Sequence, residues 1–253
     1  MQNRPLFLKI ISGVIIFGAW EIGGRSGVSF AFPPFSESMA AFFSLVMDGT
    51  MFKAYGETLK PLVVGIIISA ILGISLGIWI GLSDKFDWLV SPIFIVMQAA
   101  PIAALIPLLI MVYGIGLTSK VFVVSIISIP VIVLNTSSAV KNTPTNIKEM
   151  AKAFQGKDLD VIFKIILPSS SPIIFAGLRL GVSAGFIGAI LAELKITPTG
   201  VGDIISYSRS IADYPSMYAA IFSIILLAVL FLNVLEKIEN FLFKGNNQGY
   251  ASE

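Results

Sequence analysis

The sequence predicts an all-α protein that spans a membrane with six transmembrane helices. Two observations support this class. The 253 residues are 56% hydrophobic and only 13% charged, whereas a soluble domain carries about 25% charged residues. The apolar residues also form six stretches, and the length of each is close to the about 20 residues that a helix needs to cross a bilayer. We place these spans at residues 7–23, 59–82, 89–113, 121–140, 172–191 and 218–235.

The start of the chain predicts a retained first helix and then a second, interfacial one. The first span follows basic residues and so resembles a signal peptide, but Trp20-Glu21 stands where small residues would mark a cleavage site. We therefore expect the first span to stay in the protein. In the mixed region 28–57, Phe32-Pro33-Pro34-Phe35 predicts an extended entry into an amphipathic helix. We expect Ser36 or Ser38 to open that helix.

The second, third and fifth spans are not uniform apolar rods. Glycines recur along the second and fifth spans, a pattern typical of membrane helices that pack closely, as in a transporter or a dimer. These glycines are Gly65, Gly73, Gly77 and Gly81, then Gly177, Gly181, Gly185 and Gly188. Prolines in the third span predict a kinked or broken helix, because lipid cannot satisfy the freed backbone groups. They are Pro92, Pro101 and Pro107.

The only long polar, lysine-bearing insertion in this hydrophobic sequence runs from Asn146 to Pro172. It holds two short amphipathic patterns separated by Gln155-Gly156, and we expect Leu167-Pro168 to end the second helix. The first apolar face consists of Ile147, Met150, Ala151 and Phe154, and the second of Leu159, Ile162, Phe163 and Ile166. A helical pair of this kind between two spans predicts a docking surface for a soluble partner.

The distribution of basic residues predicts the orientation in the membrane. If the N-terminus is cytoplasmic, most Lys and Arg residues lie on the cytoplasmic side, and many of them belong to residues 141–171. Positive charge favours the cytoplasmic face of a membrane protein. We therefore expect both termini and the loop 141–171 on that face.

Several function classes are excluded by residues that the chain lacks. With no Cys and no His, it has no disulfide, no thiolate metal site and no imidazole proton shuttle. We therefore predict no catalytic residue, no metal site and no cofactor. A G-x-x-x-x-G-K-[ST] motif is also absent, so any ATP hydrolysis by that route requires a separate subunit. The net charge of +2 is too small to indicate nucleic acid.

The segment from Glu149 to Pro168 resembles the cytoplasmic loop signature of bacterial ABC importer permeases. Glu149-Met150-Ala151 corresponds to the EAA triplet, and Ile165-Ile166-Leu167-Pro168 to the end of the signature. The loop glycine of that family falls on Gln155, and Gly156 follows it here. Further matches, in order along the chain, resemble the nitrate, sulfonate, taurine and bicarbonate branch. They are Trp20-Glu21, Pro101 to Lys120, Gly177-Leu178-Arg179, Ala192-Glu193 and Gly200-Val201-Gly202.

This resemblance implies the type I ABC importer permease fold and a transport subunit rather than an enzyme. The implied partners are a second permease copy, cytoplasmic ABC ATPase subunits and an extracytoplasmic substrate-binding protein, all at the bacterial inner membrane. The implied substrate is a small anion such as nitrate, an alkyl sulfonate or taurine; a thiamine pyrimidine or riboflavin is the alternative. An ion-coupled secondary transporter is the rival of a different class, and it should show mid-span carboxylates and an inverted repeat.

The resemblance also assigns candidate site residues. The ATPase-coupling candidates are Glu149, Met150, Ala151, Phe154, Gln155 and Gly156. Glu149 has a second interpretation, a capping box with Asn146. Polar or kinked positions in the spans give the candidates for the translocation pathway: Gln98, Pro101, Ser125, Ser128 and Ser183. Glu193 is the candidate outer gate, and for Arg179 we expect snorkelling or helix packing rather than substrate contact.

Overall fold

The computed structural model describes residues 4–27, 29–144, 149 and 158–243, and within them all regular structure is helical. This confirms the predicted all-α class. The helices are α1 (Arg4–Arg25), α2 (Phe35–Met47), α3 (Thr50–Leu82), α4 (Asp84–Ala99), α5 (Ile102–Tyr113), α6 (Leu117–Lys141), α7 (Asp158–Val161), α8 (Leu167–Lys195), α9 (Gly200–Ser210) and α10 (Tyr214–Phe243). A π-helical turn, Ile162–Ile166, joins α7 to α8.

Four stretches of helix in the described part are long and apolar enough to cross a membrane: α3, α6, the stretch Leu159–Lys195, and α10. The pair α4 and α5 adds a fifth crossing if its two halves form one span. The first predicted span lies on α1, a helix of 22 residues. Each of the six predicted spans thus falls on described helices, and the count of six stays a prediction.

The third predicted span is broken, as its prolines indicate. Helices α4 and α5 meet at an angle of 98°. Ala100 separates them with extended backbone angles (φ −66°, ψ 138°), which is the conformation that a following proline imposes on its neighbour. Pro92 and Pro107 lie inside α4 and α5 without ending them. The break therefore belongs to Ala100-Pro101 alone.

Two predicted helix boundaries are wrong. Helix α2 begins at Phe35 rather than at Ser36 or Ser38, because its first turn is capped from outside. The Glu21 carboxylate accepts hydrogen bonds from the Ser36 N–H at 2.9 Å and the Ser36 hydroxyl at 3.0 Å. Trp20 Nε1 also donates to the Pro33 carbonyl at 3.1 Å. The Trp20-Glu21 pair thus fixes the entry into α2.

The expected helix end at Leu167-Pro168 is also wrong. The helix continues from Asp158 through the π-helical turn into α8, and the Leu167 N–H donates to the Ile162 carbonyl five residues back. Pro168 lies in the first turn of α8. The wide turn before Pro168 relieves the clash of its ring with the preceding carbonyls, so the helix passes the proline without ending.

The chain forms two compact units, residues 1–58 with 198–227 and residues 59–197 with 228–253. The first unit is held by aromatic rings: Phe17, Trp20, Phe35 and Phe222 stack or meet edge to face, with centroids 4.7–6.4 Å apart. The turn before α3 is fixed by Asp48, which accepts the Thr50 N–H at 2.8 Å. That bond holds the pKa of Asp48 below its usual range.

Helix α6 is the centre of the second unit. The glycines of the second and fifth predicted spans, on α3 and α8, lie against α6, and Gly185 also meets Ile66 of α3. A Cβ on Gly77 would lie 2.5 Å from the Thr136 Cβ and 2.8 Å from the Val133 carbonyl, and one on Gly177 would lie 2.6 Å from the Asn135 Cβ. The predicted close packing is confirmed, and both glycine faces are occupied within the chain.

Candidate coupling region and translocation residues

The predicted coupling segment lies between α6 and α8. Among its six candidate residues, Glu149 is exposed and helical; Met150, Ala151, Phe154, Gln155 and Gly156 lie outside the described residues. What the structure describes in detail is the base of this loop, where the chain leaves α6 and returns to α8. We call residues 141–144 and 158–170 the loop base.

A buried polar contact closes the loop base. The Thr143 and Ser170 hydroxyl oxygens are 3.0 Å apart and both side chains are buried. Thr143 Oγ1 is also 3.0 Å from the Val140 carbonyl, and Ser170 Oγ is 2.7 Å from the Ile166 carbonyl. Each hydroxyl has one proton to donate, so the two hydroxyls form two hydrogen bonds among these three contacts, and these bonds join the two segments that flank the loop. Neither residue stands out in the sequence, because their pairing depends on the folded loop.

Apolar packing seals the same place. Val140 of α6, Ile166 of the π-helical turn and Ile174 of α8 form one buried cluster, and Ile162 packs against it. Leu159 and Phe163, predicted on the same helical face as Ile162 and Ile166, are instead exposed. The π-helical turn changes the angular spacing of side chains, which a uniform helical period does not anticipate. An apolar pair next to the loop is therefore left on the surface.

The predicted pathway residues lie in three different environments. Gln98 and Pro101 are exposed and flank the bend between α4 and α5. Ser125 and Ser128 are buried between helices: the Ser125 hydroxyl is 3.4 Å from the Gly65 carbonyl, and Ser128 faces Gly185. Ser183 is half-buried and lines a cleft of about 330 Å³ with Arg179 and Glu236. Their role in a pathway stays a prediction.

Charged residues on α8 have defined surroundings. Arg179 Nη1 lies 3.5 Å from carboxylate oxygens of Glu236 and Glu239 on α10, so helix packing is the interpretation that the structure supports. Glu193 is only 1% exposed. One turn further on, the Thr197 carbonyl accepts a hydrogen bond from the buried Lys120 ammonium at 3.2 Å. This hydrogen bond ties the start of α6 to the residues that follow α8. An outer-gate role for Glu193 stays a prediction.

The Gly200-Val201-Gly202 motif forms the start of α9. Gly200 has φ +68°, a left-handed conformation that favours glycine. The Val201 N–H donates to the buried Thr58 hydroxyl at 3.0 Å. A cleft of about 310 Å³ beside it is lined by charged residues, including Lys53, Glu57 and Asp203. The motif therefore sets the direction in which the chain leaves the loop after α8.

Comparison with known proteins identifies relatives over most of the chain. The model of the family described as "Binding-protein-dependent transport system inner membrane component" matches residues 71–242. The chain is 25% identical over 235 residues to the putative aliphatic sulfonates transport permease protein SsuC of Bacillus subtilis, covering 92% of this chain and 85% of that protein. It is 26% identical to the formylaminopyrimidine transport permease protein ThiX of Halalkalibacterium halodurans, covering 88% and 89%.

The fold has a solved counterpart. A chain from a crystal form of the MetNI methionine ABC transporter in inward-facing conformations superposes with a TM-score of 0.65 and 18% sequence identity. The match covers 74% of this chain and 93% of the other. The type I permease fold expected from the sequence is therefore confirmed.

The Thr143–Ser170 contact predicts local destabilisation when one hydroxyl is removed. Thr143→Val keeps the shape of the side chain but deletes its hydrogen bonds, each worth about 0.5–1.5 kcal/mol net. We expect amide hydrogen exchange in residues 158–170 of the detergent-solubilised protein to accelerate several-fold, with the rest of α8 unchanged. Ser171→Ala is the matched control, because that hydroxyl donates within its own turn to the Pro168 carbonyl. Equal exchange in wild type and Thr143→Val would contradict the assignment.

Proposed function

The chain belongs to the family of binding-protein-dependent transport system inner membrane components, and from this premise we propose that it imports a small anion such as nitrate, an alkyl sulfonate or taurine. The observation that carries the proposal is the family match over residues 71–242, together with a sulfonate permease relative that aligns with most of the chain. The chain is the permease subunit of an ABC importer, a multi-pass inner-membrane protein and not an enzyme.

Energy for uphill transport comes from a separate subunit. The sequence has no phosphate-binding loop, and the family works with an ABC ATPase and a substrate-binding protein. We propose that the ATPase docks on the loop between α6 and α8. Exposed Leu159 and Phe163 beside this loop supply apolar contact area, and Glu149 supplies an exposed carboxylate. Two copies of the chain would form the pathway, each on one ATPase subunit.

A vitamin precursor is the second candidate substrate. The ThiX relative, which carries formylaminopyrimidine, is as similar to this chain as the sulfonate permease is. The thiamine pyrimidine and riboflavin therefore stay the alternatives. An ion-coupled secondary transporter does not fit a family whose members depend on a binding protein.

Substrate uptake by the reconstituted complex tests the proposed function. We expect liposomes containing the chain, its ATPase and its binding protein to accumulate radiolabelled taurine, nitrate or an alkyl sulfonate only when ATP and binding protein are both present. The chain alone should hydrolyse no ATP. Hydrolysis by the purified chain would contradict the permease assignment. Accumulation of a labelled thiamine pyrimidine or riboflavin, with no anion uptake, would leave the permease role intact and replace the proposed substrate.

Substitutions in the loop test the coupling role. Glu149→Ala removes a charge and the acceptor of the capping box expected with Asn146. Gly156→Val places a β-branched residue where the resemblance implies a glycine turn, a strain of about 1–3 kcal/mol if that turn has a positive φ. We expect both variants to insert normally, because the spans are unchanged, and to lose ATPase binding or uptake in the liposome assay. Glu149→Gln is the control that keeps a capping side chain without the charge. Normal uptake by all three variants would exclude this segment as the coupling element.

The proposed orientation, with both termini and the loop in the cytoplasm, is testable with cysteines, since the chain has none of its own. Lys164 and Arg209 are both exposed in the structure. In intact cells, cysteine introduced at Lys164 should resist a membrane-impermeant thiol reagent, and cysteine at Arg209 should react. Permeabilised cells provide the control, because both positions should then react. The reverse pattern in intact cells would overturn the orientation.

A further inference from the structure

An ion pair outside the predicted coupling segment joins α4 to the end of α6. The Lys141 ammonium, on the last residue of α6, lies 2.5 Å from Asp87 Oδ1 in the first turn of α4. The Ser91 hydroxyl donates to the same carboxylate oxygen at 2.5 Å. The side chains of Lys141 and Asp87 are 34% and 31% exposed. Ser91 therefore positions the Asp87 carboxylate from the same helix, while both charged groups remain accessible to water.

The surroundings of the pair are mixed. It lines a cleft of about 330 Å³ with the polar Ser137, Ser138 and Asn142 and with the apolar Ile95 and Leu134. Asn142 Nδ2 donates to the Ser138 hydroxyl at 3.2 Å. A partly exposed ion pair in such a setting adds little to the stability of the fold, whereas the apolar contacts of α4 with Ile80 and Val133 through Phe94 hold that helix in place. A role other than stability is therefore open to this pair.

The position of the pair along the chain suggests that role. Lys141 lies two residues before Thr143, the residue that closes the loop base with Ser170. Asp87 lies at the start of α4, the half of the broken span that leads to the bend at Ala100-Pro101. One end of the pair therefore belongs to the loop that docks the ATPase, and the other end to the helix that leads into the break.

We propose that the Asp87–Lys141 ion pair transmits movement of the coupling loop to the broken span. The proposal rests on the coupling role given above to the loop between α6 and α8. When the ATPase displaces the loop, Lys141 carries Asp87, and with it α4, in the same direction. Without the pair, the loop moves and α4 follows less. Asp87 and Lys141 are positioning residues in this mechanism and touch no substrate.

The test measures coupling rather than activity alone. In liposomes with the complete importer complex, Asp87→Asn and Lys141→Met should keep complex assembly and ATP hydrolysis but raise the ATP consumed per substrate imported by up to about five-fold, the largest factor that a partly exposed ion pair supplies. The charge-swapped double variant, Asp87→Lys with Lys141→Asp, should restore much of the wild-type ratio. The matched control is Arg25→Met, which removes an exposed ion pair with Glu21 at 2.6 Å on α1, outside the loop base, and should leave the ratio unchanged.

The outcomes separate this inference from the proposed function. A wild-type ratio in both single variants, while Glu149→Ala fails to transport, would overturn the role of the pair and leave the permease and its coupling loop in place. Loss of assembly and transport in the single variants, without rescue by the swapped pair, would show a merely structural role and also overturn it. If the wild-type complex neither binds the ATPase nor transports, the proposed function fails and this inference fails with it.

Discussion

The close approach of α3 and α8 to α6 is the constraint on which the second unit depends. Where α6 passes α3, a Cβ on Gly77 or Gly81 would lie 2.8–2.9 Å from a backbone carbonyl of α6, so only glycine permits the contact. In lipid, helices gain nothing from hiding apolar surface and associate through such close packing. Three long helices are thereby fixed to one another, and about half of the apolar stretch of α6 is buried within the chain.

That fixed centre contrasts with the broken span beside it. Helix α4 packs against α3 and α6 through Phe94, while α5 packs against the start of α6 and the end of α8 through Ile106 and Leu109. The bend at Ala100-Pro101 separates these two contacts. A span divided in this way can shift one half relative to the other without disturbing the glycine-packed helices. The exposed Gln98 and Pro101 lie at this bend, so such a shift would change their positions.

Effects of a residue on its neighbours along the chain could be predicted from the sequence, whereas contacts between residues distant in the chain could not. Proline acts on its own neighbours, so a break in the third span could be predicted, but not which of its three prolines causes it. Glycine spacing indicated close packing. The sequence could not show that both glycine faces meet α6, because that depends on tertiary topology. For the same reason it missed Glu21 as the cap of α2 and the Thr143–Ser170 contact. The π-helical turn was missed because a proline usually ends a helix, and nothing in the sequence shows that a wide turn lets the helix pass Pro168.

The two ends of α6 differ in how easily their polar links can be broken. At its start, Lys120 is 5% exposed and bonds to the Thr197 carbonyl; separating a buried charge from its partners costs about 3–5 kcal/mol. At its end, the partly exposed Asp87–Lys141 pair is of a kind worth about 0–1 kcal/mol. Transport requires repeated, reversible movement, which a buried link resists and a partly exposed one permits. The burial of these charges therefore favours a fixed start of α6 and places the adjustable contact at the end that leads into the coupling loop.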